Sequence, residues 1–271
     1  MTERIAFIGG GNMASAIIGG LIRQGTPPAA IDVVEPLAEA RAALQRQHGV
    51  AAQAQAGEFL SGAALVVWAV KPQMFHQATQ PVRPHTGRAL HLSVAAGIRS
   101  DSITAWLGSE RVVRAMPNTP ALIGKGITAL FARAAVTPLA RERVSQVIAT
   151  TGALLWLDAE AQLDAVTALS GSGPAYLFYV MEAMRTAGIE MGLPADQAYQ
   201  LAVATCIGAG ELAQASRESP EVLRQRVTSP GGTTHAAISV MEQADIKRHL
   251  IRAMHAARSR AIAMGDEFGA A

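Results

Sequence analysis

The pattern of apolar residues changes once along this chain, near Leu157, and that change restricts the fold more than any other feature. Before it, short β-branched or apolar runs alternate with amphipathic stretches. Strand spacing occurs over residues 4–8, 31–35, 65–70, 89–94, 111–116, 127–131 and 154–157. Helical spacing fills the gaps at 13–24, 36–48, 74–83, 100–107 and 138–149. Such alternation predicts a mostly parallel sheet with helices on both faces. After Leu157 strand signals stop, and Ala-, Leu- and Met-rich helical periodicity covers 161–191, 195–216, 219–226, 233–243 and 246–264. The chain therefore reads as an α/β domain over residues 1–158 followed by an all-α domain over 159–271. Small and apolar residues on several faces of the later helices suggest burial on more than one side, as when helices of two subunits pack together.

The first strand runs into Gly9-Gly10-Gly11-Asn12-Met13-Ala14. Gly9 permits a tight turn, Gly11 lets backbone approach a pyrophosphate, and Ala14 fills the third small position. The following helix would present its N-terminus to the phosphates, which marks a dinucleotide site. Glu35 ends the second strand, at about the spacing (roughly 20 residues) where an acid bonds the adenosine ribose 2′-hydroxyl and repels a 2′-phosphate. Ala69-Val70-Lys71-Pro72-Gln73, the run from Ser93 to Gly97, and Met116-Pro117-Asn118-Thr119-Pro120 end further strands at the same edge. Together they would wall a pocket, and the prolines around Asn118 would stiffen a loop able to hold its amide near a nicotinamide.

A second cradle lies in the helical half. Ser229-Pro230-Gly231-Gly232-Thr233-Thr234 feeds a turn into a helix, leaving backbone N–H groups free at the positive end of a helix dipole. That is a seat for a carboxylate. The stretch from Ser170 through Gly173 and Pro174 to Tyr176 interrupts the long helical segment before it with small residues. His235 follows Thr234, and a water-facing helix-start residue is its plain reading.

Other classes are disfavoured. The chain has 271 residues, 50% of them hydrophobic and 16% charged, ordinary for a globular protein. A formal net charge of +2 without a Lys/Arg run gives no footprint for nucleic acid. Cys206 is the only cysteine, so no internal disulfide forms, and the seven histidines show no metal-ligand spacing; no metal is expected. The chain enters a strand at once without a charged-then-apolar leader, and no apolar run reaches the roughly 18 residues of a membrane span, so a cytoplasmic location is expected.

The glycine turn from Gly9, the Ala69-Val-Lys-Pro-Gln run, the Met116-Pro-Asn-Thr-Pro run, Leu169-Ser-Gly-Ser-Gly-Pro-Ala-Tyr and Ser229-Pro-Gly-Gly-Thr-Thr occur in that order. In order and spacing they resemble pyrroline-5-carboxylate reductase over essentially the whole chain. The resemblance implies a Rossmann domain and an all-helical dimerisation domain, with helices of two subunits interleaved in a homodimer. Pentamers of dimers, that is decamers, also occur in that family. It implies reduction of 1-pyrroline-5-carboxylate to L-proline by NADPH or NADH. By motif match, Ile8, Gly9, Gly10, Gly11, Asn12, Met13, Ala69, Val70, Lys71 and Pro72 would contact the cofactor. Ser229, Gly231, Gly232, Thr233 and Thr234 would hold the substrate, with the Thr234 hydroxyl nearest the imine nitrogen as the catalytic group. Family members often carry an asparagine in the turn near the adenosine ribose, and residues 53–58 here have none. With Glu35, this leans toward NADH.

Two other readings compete. A related imine or β-hydroxyacid reductase shares the two-domain plan, but hydroxyacid enzymes generally use a lysine on the long interdomain helix, and residues 163–184 contain none. A non-catalytic dinucleotide sensor would bind cofactor without consuming it.

Overall fold

A computed structural model of the chain describes residues 3–269. They form two compact units. One holds the chain up to Ser172 together with the stretch from Ala257 onward, and the other is Gly173–Ala256.

In the first unit the strands are β1 (Arg4–Ile8), β2 (Ile31–Val34), β3 (Ala52–Gln53), β4 (Ala63–Trp68), β5 (Leu90–Ser93), β6 (Val112–Met116), β7 (Gly126–Ala132) and β8 (Gly152–Trp156). Between them run α1 (Asn12–Arg23), α2 (Ala38–His48), α3 (Phe75–Val82), α4 (Ser100–Leu107) and α5 (Pro138–Ala149). One sheet contains all eight strands, in the order β3-β2-β1-β4-β5-β6-β7-β8. The first six reproduce the doubly wound dinucleotide-binding order, whose direction reverses between β1 and β4. Each neighbouring pair is parallel except β6 with β7. The two-residue β3 and the antiparallel turn of β7 have no sequence pattern of their own.

Both faces of the sheet are covered, which explains the continuous apolar runs in its strands. Ile5 and Phe7 pack on one face with Ile17, Ile18, Leu44, Val113 and Val144, whereas Ala6 and Ile8 pack on the other with Trp68, Phe75, Ile98 and Ile103. Period-two alternation along β1 thus feeds two cores at once.

The helical segment expected over 161–191, interrupted from Ser170 by small residues, is broken in the structure a few residues earlier, at Thr167. It divides into α6 (Gln162–Val166), a π turn at Thr167–Gly171 and α7 (Gly173–Glu190). Hydroxyls of Thr167 and Ser170 bond back to the Leu163 and Val166 carbonyls, and the Ser172 N–H reaches the Thr167 carbonyl at 2.8 Å. Pro174 has no N–H to continue the ladder, so the extra residue is absorbed just before it.

The second unit consists of α7, α8 (Ala195–Ala215), α9 (Pro220–Arg226), α10 (Thr233–Gln243) and the opening turns of α11 (Ile246–Gly269). It buries few of its own side chains. Gly188 lets α7 approach α8 closely, since a Cβ there would lie 2.9 Å from that of Ala198. Leu177, Phe178, Tyr199, Leu201 and Ile207 remain exposed, and a cleft of about 750 Å³ runs between α7 and α8 beside Phe178, Met181 and Val203. The far end of α11 returns to the first unit, where Asp266 pairs with Arg99 at 2.6 Å and Met264 covers Gly97.

Candidate active site

At the carboxyl edge of the first unit's sheet, main chain ties three strand ends together. The Gly9 N–H donates to the Val34 carbonyl and the Ala69 N–H to the Ile8 carbonyl, both at 2.8 Å. Gly9 has φ +96°, and a Cβ on it would sit 2.5 Å from the Ala69 carbonyl oxygen, so only glycine fits. Gly11 is different. A Cβ there would meet nothing within 4 Å. The space above Gly11 is open, as a phosphate seat requires.

Gly11 is the N-cap of α1, which has no side-chain cap and no acidic residue in its first turn. Asn12 and Met13 therefore open a helix whose positive end is unneutralised, which suits an anion. Gly10 plays another part. Its N–H donates to Glu35 Oε2 at 2.7 Å, and the Leu37 N–H donates to Glu35 Oε1 at 2.8 Å. The strand-end acid is thus a buried clasp between the glycine turn and the β2–α2 turn. Of the β4-end residues, Ala69, Val70 and Pro72 are partly buried and Lys71 is exposed.

Asn118 stands at the end of β6, where its amide serves the protein itself. Oδ1 accepts from the Ile127 N–H at 3.0 Å and Nδ2 donates to the Ser170 carbonyl at 3.1 Å. The loop after β6 is thereby tied to the π turn, a helix irregularity common at functional sites.

Sequence reasoning missed an ionic cluster beneath this edge. Arg114, 7% exposed on β6, pairs with Glu160 at 2.7 Å, and the Ser100 N–H and hydroxyl donate to the same carboxylate. Burial pushes the Glu160 carboxyl up, but the bonds from Ser100 and Arg114 outweigh it and hold the group below the usual carboxylate range. The signal was a lone arginine inside an apolar strand, which demands a buried partner without naming it.

The second cradle, taken by itself, is a turn closed by the Gly232 N–H on the Ser229 carbonyl at 3.0 Å. Gly231 has φ +72°. Gly232 is the N-cap of α10, again with no side-chain cap and no acid in the first turn. Ser229, Gly231 and Thr233 are exposed, while Gly232 and Thr234 are half-buried. Thr233 and Thr234 thus bring backbone N–H groups and two hydroxyls to the first turn of α10. Among the described residues no group of His, Cys, Asp and Glu could hold a metal ion, and no helix is long and apolar enough to cross a membrane.

The whole chain resembles known proteins. The family model described as pyrroline-5-carboxylate reductase dimerisation matches residues 160–264, and the one described as NADP oxidoreductase coenzyme F420-dependent matches residues 4–97. A pyrroline-5-carboxylate reductase of Pseudomonas aeruginosa is 44% identical over 270 residues, covering 99% of each chain. The chain belongs to the pyrroline-5-carboxylate reductase family. Among solved structures, a pyrroline-5-carboxylate reductase from Coxiella burnetii superposes with a TM-score of 0.89 at 36% identity, covering 97% of this chain and 99% of that one. The Plasmodium falciparum pyrroline carboxylate reductase, solved with NADP bound, gives 0.87 at 25% identity, covering 97% and 98%. As in this reductase family, a Rossmann-type parallel sheet is followed by a helical dimerisation domain.

Proposed function

We propose that this chain reduces 1-pyrroline-5-carboxylate to L-proline with NADPH or NADH, the last step of proline biosynthesis. The observation that carries the reading is a pair of uncapped, acid-free helix starts, α1 behind Gly11 and α10 behind Gly232, in a chain matched end to end by named reductases.

When bound, the reduced nicotinamide supplies a hydride to C5 of the ring. The chain's own residues hold and orient the reactants. Gly11, Asn12 and Met13 offer the pyrophosphate seat, with Ile8, Gly9 and Gly10 shaping the turn and Ala69, Val70, Lys71, Pro72 and Asn118 flanking it. Ser229, Gly231, Gly232 and Thr233 receive the carboxylate. Thr234 places its hydroxyl at the ring nitrogen, where it bonds the iminium and then the product amine. The protonated C=N is already electron-poor, so no strong base is needed and positioning supplies most of the rate.

The exposed apolar faces of α7 and α8 support a homodimer with interleaved helical domains, and the resemblance alone suggests decamers as a further assembly. Light scattering of the full chain measures this, and a monodisperse monomer refutes it. We place the enzyme in the cytoplasm. The function is tested by following NADH and NADPH absorbance with 1-pyrroline-5-carboxylate and identifying proline as product. Cofactor binding without consumption would favour a sensor, and consumption only with an oxo acid a hydroxyacid reductase.

A further inference from the structure

Glu35 is 8% exposed, yet no Lys, Arg or His pairs with its carboxylate among the described residues. Its two oxygens instead accept the Gly10 and Leu37 N–H groups at 2.7 and 2.8 Å. The nearby cation, Arg41, turns elsewhere. Its Nη1 donates to the backbone carbonyls of Glu35 at 2.9 Å and Pro36 at 2.7 Å. The first turn of α2 adds another acid, Glu39. A carboxylate is therefore fixed beside the glycine turn by backbone donors, with no cationic side chain on its oxygens.

Building on the dinucleotide reading above, we propose that this fixed carboxylate makes NADH the preferred cofactor. The end of the second strand is where a doubly wound sheet receives the adenosine ribose. Each Glu35 oxygen keeps a lone pair beyond the one its N–H occupies, able to accept a ribose hydroxyl. A 2′-phosphate, with a charge of about −1.5 to −2, meets the same oxygens as like charge. An exposed glutamate would rotate away and tolerate that phosphate. Glu35 cannot, because leaving would strand two backbone donors. Its methylenes also lie against Gly10, where a Cβ would come within 3.2 Å of both Glu35 Cβ and Cγ. Glu35 is thus both a specificity determinant and a positioning residue for the turn. Arg41, its remaining guanidinium nitrogens without a hydrogen bond among the described residues, is the partial counterweight that leaves some NADPH use.

The test uses the full-length chain and two readouts. Fluorescence titration gives Kd for NADH and NADPH without turnover, and steady-state assays give kcat/KM for each. The wild type should favour NADH in both, by at least about tenfold. Glu35→Ser should move the ratio tenfold to a hundredfold toward NADPH, and Glu35→Gln, which keeps the size and one acceptor, should move it the same way. Arg41→Ala should lower NADPH use more than NADH use. A wild type that favours NADPH, or a ratio unchanged in both folded Glu35 variants, overturns the assignment while leaving the dinucleotide site intact. Failure of both cofactors to bind the wild type overturns the dinucleotide reading, and this assignment with it.

Discussion

Asn118 Nδ2 donates to the Ser170 carbonyl at 3.1 Å, joining the end of β6 to the π turn that precedes α7. With Oδ1 on the Ile127 N–H at 3.0 Å, a single amide braces three segments of the first unit. Asn118→Ala removes both bonds and should cost about 1–2 kcal/mol of stability and lower turnover. Asn118→Asp keeps the acceptor but sets a carboxylate against the Ser170 carbonyl, so it should not rescue. Urea unfolding and steady-state kinetics measure the two effects, and a fully stable alanine variant would show that the brace is idle.

Two glycines of one turn should fail differently. Gly9→Ala forces a Cβ 2.5 Å from the Ala69 carbonyl at a left-handed φ of +96°, so the variant should lose several kcal/mol, roughly the upper range for point mutants, or not fold. Gly11→Ala meets no protein atom within 4 Å and should fold with a nearly unchanged Tm. Its methyl instead occupies the proposed phosphate seat, and NADH affinity should fall tenfold or more. Thermal melts and cofactor titration separate these outcomes; a Gly11→Ala variant with wild-type affinity would remove the phosphate from this turn.

Thr234 lies half-buried in the first turn of α10, whose N-cap Gly232 offers no side chain. Losing a hydrogen bond to a charged reacting group costs about 1.5–3 kcal/mol, roughly ten- to hundredfold in rate. Thr234→Ala should therefore lower kcat by that factor with cofactor Kd nearly unchanged, and Thr234→Ser should recover most of it. Wild-type turnover in the alanine variant would dismiss the hydroxyl's role.

Acid should weaken the fold through His91. The ring is 1% exposed on β5 and accepts the Trp68 Nε1–H at Nδ1 over 3.2 Å. Burial first, then Arg111, pushes its pKa from 6.5 down to about 4, against an opposing bond to the Thr86 backbone. The unfolded chain thus gains a proton below about pH 6.5 that the folded chain refuses until about pH 4. Stability is full above that window and falls as pH drops through it, by on the order of 3 kcal/mol. Glu160, held low by Ser100 and Arg114, adds a further loss below its own unfolded pKa of 4.5. The urea midpoint between pH 7.5 and 4, in wild type and His91→Asn, measures this; equal slopes would exonerate the histidine.

Much of this molecule is written in short-range pattern. Period-two runs with both faces apolar, broken by Gly9 and Gly11 and by the prolines around Asn118, determine the strands and their turns, because backbone sterics act within a few residues. The same holds for the free helix start behind Gly232 and for the point near Leu157 where strands cease. Tertiary structure alone decided the rest. Whether Glu35 would wave in water or clasp Gly10 depends on a backbone donor 25 positions away in sequence. Asn118 finds its second partner 52 positions downstream. The π turn, the antiparallel β7 and the return of α11 to the first unit likewise follow from packing. Local sequence states which groups need partners; only the folded chain, by closing long loops, states which partners they get.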